Sequence, residues 1–339
     1  MGHRSKNAPR HGSLRFMPRK RASNIKGRIR NWPNLQGELR FLGFAGFKVG
    51  MTHIAFVEDQ KTSPFFGKEL MKAVTIVETP PLVMFGIKIY KRNEYGLYCV
   101  GEILAKNFKN ELSRKIVLPN SENYDYDKKL KALNSAIDEN TEVRCLFHTQ
   151  PYLVSVPRIK PDIIEIKVSG GATNKERFDY ALNYLGKELR IRDMFQEGEL
   201  IDVIGVSRGK GFQGPIKRFG VRILQRKSRG TKRGVGCIGP WHPARVMYTV
   251  ARAGQMGFHQ RIEYHKRIMK ISENGEEINP KGGFLKYGLV KSDYIILLGS
   301  IPGSKKRLIR LRMTIRAKKK FTVTVPTITY INRQSQQKK

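Results

Sequence analysis

Three long stretches of this sequence contain lysine and arginine but no aspartate or glutamate: residues 1–37, 203–262 and 294–339. They hold 35 of the 65 basic residues, and the rest of the chain has 30 basic residues against 28 acidic ones. A solvated protein face normally mixes both signs, because unbalanced charge costs self-repulsion in a compact state. The sequence therefore predicts a near-neutral folded body joined to cationic segments that need a polyanionic partner.

The net charge of +37 leaves nucleic acid and an anionic membrane surface as candidate partners. Apolar runs such as 294–298 are far shorter than the roughly 20 residues of a membrane-spanning helix. The N-terminus has no apolar signal segment. The three cysteines lie far apart and form no CxxC pair, which argues against a disulfide framework or a zinc ribbon. We expect a nucleic-acid partner, with no membrane and no small-molecule substrate.

Segments rich in Val, Ile and aromatic residues, separated by Gly, Pro and Asn, predict a mainly β protein with a barrel or sandwich. Glycines 43, 46 and 50 fit bends or bulges at a barrel corner. The predicted helices are 128–137 and 174–189, the second with Asn174 as its N-cap. The predicted strands are 41–49, 51–58, 73–79, 82–90, 95–103, 142–148, 162–168, 199–206, 285–290, 294–298, 308–315 and 321–331.

These patterns divide the chain into five parts. Residues 1–37 form a basic arm that we expect to lack structure without its partner. Residues 208–262, rich in glycine, form a basic loop that projects from the body, because a compact domain rarely contains so long a structureless stretch. The remaining parts are a discontinuous β-barrel body (38–110, 191–207 and 263–331), an α/β insertion (111–190) and a basic tail (332–339).

The pattern GxGxxG occurs at 209–214, directly after a predicted strand. In a dinucleotide-binding fold this turn opens a helix, and an acidic residue follows about 20 positions later. Pro215 and the basic residues after it do not predict a helix, and the next acidic residue is Glu263. We therefore interpret the glycines as allowing close approach of the main chain to another backbone, such as RNA phosphate.

No catalytic or metal-binding constellation is evident. His242, His259 and His265 lack an acidic or paired cysteine ligand nearby, and neighbouring cations oppose metal binding. Cys237 stands alone beside arginines, with no base and acid at motif spacing, and is interpreted as a packed thiol. The sequence predicts no catalytic residue, no metal and no cofactor, so we expect a protein that is not an enzyme.

Trp241 lies in the segment CIGPWHP at 237–243, in the middle of the second acid-free stretch. An isolated tryptophan usually packs in a core, but the neighbours of this one are Gly, Pro and Arg. An exposed aromatic ring on a cationic loop fits stacking on an unpaired base, worth about 1–3 kcal/mol. Unpaired bases are typical of RNA loops and bulges, which favours RNA over duplex DNA.

Several longer motifs resemble the ribosomal protein L3 family. VIGVSRGKGFQG at 203–214 with KRFG at 217–220 is similar to the family signature, and GPWHP at 239–243 with ARAGQ at 251–255 is similar to its loop tip. The archaeal and eukaryotic branch is indicated by GHR at 2–4, APRHGSL at 8–14, PRKR at 18–21 and HTQ at 148–150. Eukaryotic members carry a modified histidine in the loop, whereas residues 228–230 here include none, which supports an archaeal type.

This resemblance implies a β-barrel like that of translation factors, an α/β insertion and long basic extensions that thread into large-subunit rRNA. It also implies early action in subunit assembly, neighbouring large-subunit proteins as partners, a cytoplasmic location in the ribosome, and a loop that reaches toward the peptidyl transferase centre with Trp241 at its tip. The predicted rRNA-binding residues are Arg4, Arg10, His11, Arg19, Lys20, Arg21, Arg208, Lys210, Lys217, Arg218, Arg222, Arg226, Lys227, Arg229, Lys232, Arg233, Trp241, His242, Arg245 and Arg252.

Two other functions remain open at this point. An architectural DNA-binding protein would share the charge pattern, but the sequence offers no helix or ribbon suited to a DNA groove. An RNA-modifying enzyme would need an acid, a metal or a cofactor pocket beside the basic surface, and the loop contains no carboxylate.

Overall fold

The computed structural model describes residues 9–119, 124–228, 230–316, 321 and 323–337. The chain divides into two compact units. The body unit consists of Lys26–Gly205 and Ile262–Lys339, and the basic unit consists of Met1–Ile25 and Val206–Arg261. The predicted barrel body, insertion, loop, arm and tail boundaries stay predictions.

Most regular structure is β. The helices are α1 (Asn110–Ser113), α2 (Tyr126–Ser135), α3 (Asn174–Asn183) and α4 (Pro215–Phe219). The strands are β1 (Arg40–Phe41), β2 (Gly43–Val57), β3 (Glu69–Glu78), β4 (Leu82–Asn93), β5 (Gly96–Leu104), β6 (Thr141–His148), β7 (Ile163–Ser169), β8 (Glu188–Leu189), β9 (Leu200–Val206), β10 (Phe212–Gln213), β11 (Gly254–Gln255), β12 (Gln260–Ser272), β13 (Tyr294–Leu298), β14 (Leu308–Met313) and β15 (Ile328–Ile331). The predicted mainly β class is confirmed.

A seven-stranded sheet closes on itself to form a ring. Its order is β14-β9-β12-β13-β3-β2-β15, and β14 also pairs with β2, so six strands form the ring and β15 extends from it. Antiparallel pairs such as Leu311 with Val203 and Ile309 with Gly46 join β14 to its two neighbours. Closure leaves few unpaired backbone groups on these six strands. The predicted barrel therefore corresponds to a closed sheet.

Strand β2 is one continuous strand where the sequence predicted two. The break expected at Gly50 is instead a shift of register against β3 between Lys48 and Gly50. A bulge bends a strand without ending it, so the glycine marks a change of direction and the pairing resumes beyond it. Gly46 serves a different purpose, because a Cβ there would lie 2.6 Å from the carbonyl oxygen of Glu78.

The second sheet has the order β1-β7-β6-β4-β5, with β8 pairing to β4. The sequence assigned 82–90 and 95–103 to the barrel body, but β4 and β5 pair in this second sheet. Local alternation predicts that a segment is a strand and carries no information on its distant partner. One continuous cluster of buried apolar side chains, including Phe44, Ile76, Phe147 and Phe178, contacts both sheets of the body unit.

Helix α3 ends earlier than predicted. Its N-cap is Thr173, whose hydroxyl accepts a hydrogen bond from the Glu176 amide at 3.3 Å, so the assignment of Asn174 as the cap is wrong by one residue. Phe178 and Ala181 are buried against the second sheet. The chain leaves the helix before Gly186, which has φ +83°, a conformation favoured by glycine.

The structure also differs from the sequence-based predictions in the C-terminal half. No strand covers 285–290, where only an isolated bridge joins Phe284 to Gly288. Strand β12, at Gln260–Ser272, was missed because charged side chains and a register shift between Ile268 and Lys270 break its alternation. Helix α4 also corrects the expectation at Pro215: proline begins this helix, where its missing N–H group leaves no bond unmade.

Candidate nucleic-acid interface

The basic unit contains twenty Lys and Arg residues and no Asp or Glu. No ion pair can therefore form within this unit, and none of the ion pairs of the described residues involves its cations. All 28 acidic residues of the chain belong to the body unit. The charge separation that the sequence indicated thus agrees with the division into two units over residues 1–25 of the first acid-free stretch and 206–261 of the second.

The base of the loop has regular structure. Strands β10 and β11 pair antiparallel, and the amides of Lys210 and Met256 donate to the carbonyl oxygens of Met256 and Gly211 at 3.0 and 2.9 Å. Ser207 and His259 exchange hydrogen bonds beside this pair. The loop therefore begins from a small paired platform, after which helix α4 ends at Gly220 with φ +71°.

The N-terminal arm contacts this platform. The amide of Ala22 donates to the carbonyl oxygen of Phe258 at 2.8 Å, and the carbonyl oxygen of Lys20 lies 2.8 Å from Nδ1 of His259. His259 is nearly buried, and burial lowers its pKa below the usual value, with nearby arginines adding to the effect. A neutral His259 that donates from Nδ1 fits this geometry.

Arg19 and Arg218 are the two predicted contact residues that are only partly exposed. Arg218 donates to the carbonyl oxygens of Gln255, Arg252 and Arg19 at 3.0, 2.9 and 3.4 Å. Arg19 donates in return to the carbonyl oxygen of Arg218, and its guanidinium carbon lies 4.2 Å from the ring centroid of the buried Phe219. Both side chains therefore join the arm to the loop base.

The other described contact residues of the prediction are exposed. Arg4 and Arg229 lie outside the described residues. The exposed set is Arg10, His11, Lys20, Arg21, Arg208, Lys210, Lys217, Arg222, Arg226, Lys227, Lys232, Arg233, Trp241, His242, Arg245 and Arg252. Their exposure leaves them available to a partner, and their contact with RNA stays a prediction.

Trp241 is 88% exposed, and the prediction that it is not a core residue is consistent with that position. Other apolar side chains of the same loop are also exposed, among them Ile223, Met247 and Tyr248. Exposed apolar surface on a folded chain commonly marks a contact region. The loop presents such apolar groups together with its cations. This combination suits a ligand with phosphates and exposed bases.

The third acid-free stretch, unlike the second, contains arginines that are buried in the body unit. Arg312 is 2% exposed, and its guanidinium donates to Asp202 Oδ2 at 2.6 Å and to the Asn31 carbonyl oxygen at 2.7 Å. Arg310 is also buried and donates to the carbonyl oxygens of Gly27 and Glu165. Strands β13 and β14 of the ring belong to this stretch. The inference that all three stretches lie against phosphate is therefore wrong for these arginines.

The first stretch also continues into the body unit. Lys26 lies 3.5 Å from Asp162, and burial lowers its pKa from the usual value. Ile29 is buried in the body unit, and Trp32 packs against its core. A local charge pattern does not distinguish such residues from the arm, because their partners lie more than 100 residues away in the sequence.

Sequence reasoning did not select Arg261 or His259 as contact residues. The Arg261 guanidinium lies 4.7 Å from the ring centroid of Phe16, and burial and Arg19 both lower its pKa. Arg261 is the last basic residue of the second acid-free stretch, and that position was the available signal. Its association with the arm follows only from the folded structure.

Within the described ranges, no group of three or more His, Cys, Asp or Glu side chains could hold a metal ion. The helices of that part of the chain are also too short and polar to cross a membrane. Cys237 is exposed, so its interpretation as a packed thiol is wrong. Gly236 precedes it, and Ile238, which follows it, is itself exposed, so the adjacent residues provide little side-chain cover.

Comparisons with known proteins agree over nearly the whole chain. A family model described as ribosomal protein L3 matches residues 1–338. The large ribosomal subunit protein uL3 of Archaeoglobus fulgidus is 47% identical over 333 residues, covering 97% of this chain and 98% of that protein. The uL3 proteins of Methanocaldococcus jannaschii and Caldivirga maquilingensis are 48% and 49% identical, covering 98% and 96% of this chain and the same shares of those proteins.

Proposed function

The chain belongs to the ribosomal protein L3 family, and from that premise we propose that it binds large-subunit rRNA through the basic unit. Members of this family are structural constituents of the large ribosomal subunit, so the protein is a structural component of the ribosome and not an enzyme. The observation that carries the proposal is the separation of charge: one compact unit holds twenty cations and no acids.

Phosphodiester strands supply the missing negative charge. Lysine and arginine side chains that neutralise phosphates release condensed counterions, and the released ions drive binding. Phosphate contacts position a protein without reading sequence, so the cations fix the place of the loop and arm on folded RNA. The exposed glycine-rich backbone at 209–214 allows close approach of strands to the chain.

The loop at 208–262 has the most specific part of the proposed function. We propose that it supports rRNA near the peptidyl transferase centre, with Trp241 stacking on an unpaired base. The chemistry belongs to the RNA, and the loop positions RNA elements beside it. Early action in subunit assembly follows from the same property, because cationic segments allow RNA strands to approach one another. Other large-subunit proteins in the cytoplasmic ribosome contact the body unit.

The two competing functions have less support. An architectural DNA-binding protein needs an element that enters a groove. Among the described residues of the basic unit, the helices are the five-residue α4 and the 3-10 helix Leu14–Phe16, and the strands β10 and β11 have two residues each. An RNA-modifying enzyme needs an acid or metal beside the basic surface, and this unit has no carboxylate. Competition between duplex DNA and a structured rRNA fragment for the full chain separates the first of these from the proposal.

The salt dependence of RNA binding tests the proposal directly. Changing Lys217, Arg226 and Lys227 to Gln removes three exposed loop cations. Each phosphate contact contributes about 0.7–0.9 to the slope of log affinity against log salt, so we expect the slope to flatten by about 2. The measurement is filter binding of the full chain to a large-subunit rRNA fragment over a range of salt concentrations.

The matched control removes the same charge from the body unit. Lys128, Lys131 and Lys175 are exposed lysines on α2 and α3, and their change to Gln should leave the slope nearly unchanged. Equal flattening in both triple variants would mean that only total charge matters. An unchanged slope in the loop variant would contradict phosphate binding by the loop.

A further inference from the structure

The arm and the loop base meet around one aromatic ring. The guanidinium carbons of Arg19 and Arg218 lie 4.2 and 5.1 Å from the centroid of Phe219, which is 6% exposed. Gly12 of the arm packs so closely on this ring that a Cβ would overlap it. Two cations from distant parts of the sequence thus lie against one buried aromatic ring.

Main-chain carbonyl groups hold these arginines but do not use all of their donors. A guanidinium has five N–H groups. In the described part of the chain Arg218 donates three hydrogen bonds, which leaves two N–H groups for other acceptors. Arg19 donates one, and its Nε atom is buried with no hydrogen-bond partner among the described residues. A buried donor without an acceptor destabilises the folded chain, and an anion that accepted from it would remove that cost.

No carboxylate of the basic unit balances this cluster, because the sequence has none in residues 1–25 or 206–261. Arg261 and His259 are near enough to Arg19 for its charge to act on both, and Nδ1 of His259 lies 2.8 Å from the carbonyl oxygen of Lys20. Burial lowers the pKa of Arg218, Arg261 and His259, and repulsion from Arg19 lowers all three further. An anion between these partly desolvated cations would offset both their mutual repulsion and their loss of hydration.

We propose that Arg19, Arg218 and Arg261 form a preassembled site for a single backbone phosphate of RNA, held where the arm meets the loop base. Planar guanidinium groups suit the oxygens of phosphate and can bind them in pairs. This site rests on the proposed function and extends it, because one phosphate would bind the arm and the loop base at the same time. A bound RNA phosphate then stabilises the contact between residues 9–25 and 206–261 that is already formed in the free chain.

Inorganic phosphate is the probe, and hydrogen exchange of the full chain is the measurement. The amides of Ala22 and Met256 report on the arm and the loop base, and the amide of Ile296 in β13 is the reference. At a phosphate concentration about ten times the apparent Kd, exchange through local opening should slow about tenfold compared with chloride at equal ionic strength. The reference amide should not change.

Two variants and one control test the residues. Arg19→Gln and Arg261→Gln should abolish the effect of phosphate, whereas Arg15→Gln, which removes an exposed charge of the same arm, should retain it. If Arg19→Gln already loses protection in chloride, its arm is no longer folded and Arg261→Gln decides the result. No slowing in the unaltered chain, or slowing retained in Arg261→Gln, overturns the site.

The outcome is separable from that of the proposed function. If the chain shows no phosphate effect but binds rRNA with a steep salt dependence, only the phosphate site is refuted. If phosphate protects these amides but the chain fails to bind rRNA, the anion site stands and the proposed function is refuted. The variants with lost phosphate effects should also bind the rRNA fragment with a slope lower by about 0.7–0.9 than the Arg15→Gln control.

Discussion

Arginines of one acid-free stretch have opposite environments. Arg312 is buried beside Asp202, which has no exposed surface, whereas Arg333 is exposed. The Arg312 guanidinium links β14 to β9 and to the Asn31 carbonyl oxygen, so it stabilises the pairing of two ring strands. A positive residue in a basic protein is therefore not by itself a contact with RNA.

Arg312→Gln should destabilise the body unit by about 3–5 kcal/mol, because it leaves the carboxylate of Asp202 buried without its partner. Urea unfolding of the full chain measures the change. Arg333→Gln removes a charge from the same stretch and should change the free energy of unfolding by less than about 0.5 kcal/mol. Similar losses in the two variants would contradict the structural role given to Arg312.

Trp241→Ala should leave the free energy of unfolding within about 0.5 kcal/mol of the unaltered chain, because the ring is 88% exposed. Binding to rRNA should weaken by about 1–3 kcal/mol if the ring stacks on a base. Tyr95→Ala, which removes a 97% exposed aromatic side chain from the body unit, is the control and should not weaken binding. A loss of stability in Trp241→Ala would instead indicate a packing role.

At the scale of elements, the loop depends on a very small platform. Strands β10 and β11 have two residues each, and the turn that returns the chain to β12 contains Gly257 with φ +70°. A Cβ at this position would overlap the carbonyl oxygen of Arg208. The glycine-rich composition of the stretch thus includes at least one position where backbone geometry excludes other residues.

Gly257→Ala should cost more than about 1 kcal/mol in the basic unit, because the substitution meets both a positive φ and a steric overlap. Faster hydrogen exchange at the amides of Lys210 and Met256 would report the damage. Gly214→Ala is the matched control, since its φ is −69° and nothing lies within 4 Å of an added Cβ. Equal exchange rates in the two variants would refute the packing argument.

At the scale of the whole molecule, charge and packing are divided between the two units. The body unit holds every acidic residue, and sixteen described ion pairs lie within it. Its ring and second sheet share one apolar core, which stabilises it without a partner. The basic unit has a few main-chain hydrogen bonds and cations without carboxylates. Its structure therefore gains from any polyanion that binds both the arm and the loop.

Sequence alone determined where the charges separate, that the protein is mainly β, and where many strands lie, such as β4, β6 and β13. These properties depend on residue type and on alternation within a few residues, and both can be read along the chain. The same local information indicated Trp241 as a residue outside the core.

Only the tertiary structure decided which cations are internal. Arg312 pairs with a carboxylate 110 residues away, and Arg19 and Arg218 join segments separated by 199 residues. The closure of the ring, the place of β4 and β5 in the second sheet, and the association of Arg261 with the arm have the same cause. Each depends on long-range pairing, and a strand or an arginine carries the same local pattern whichever distant partner it has.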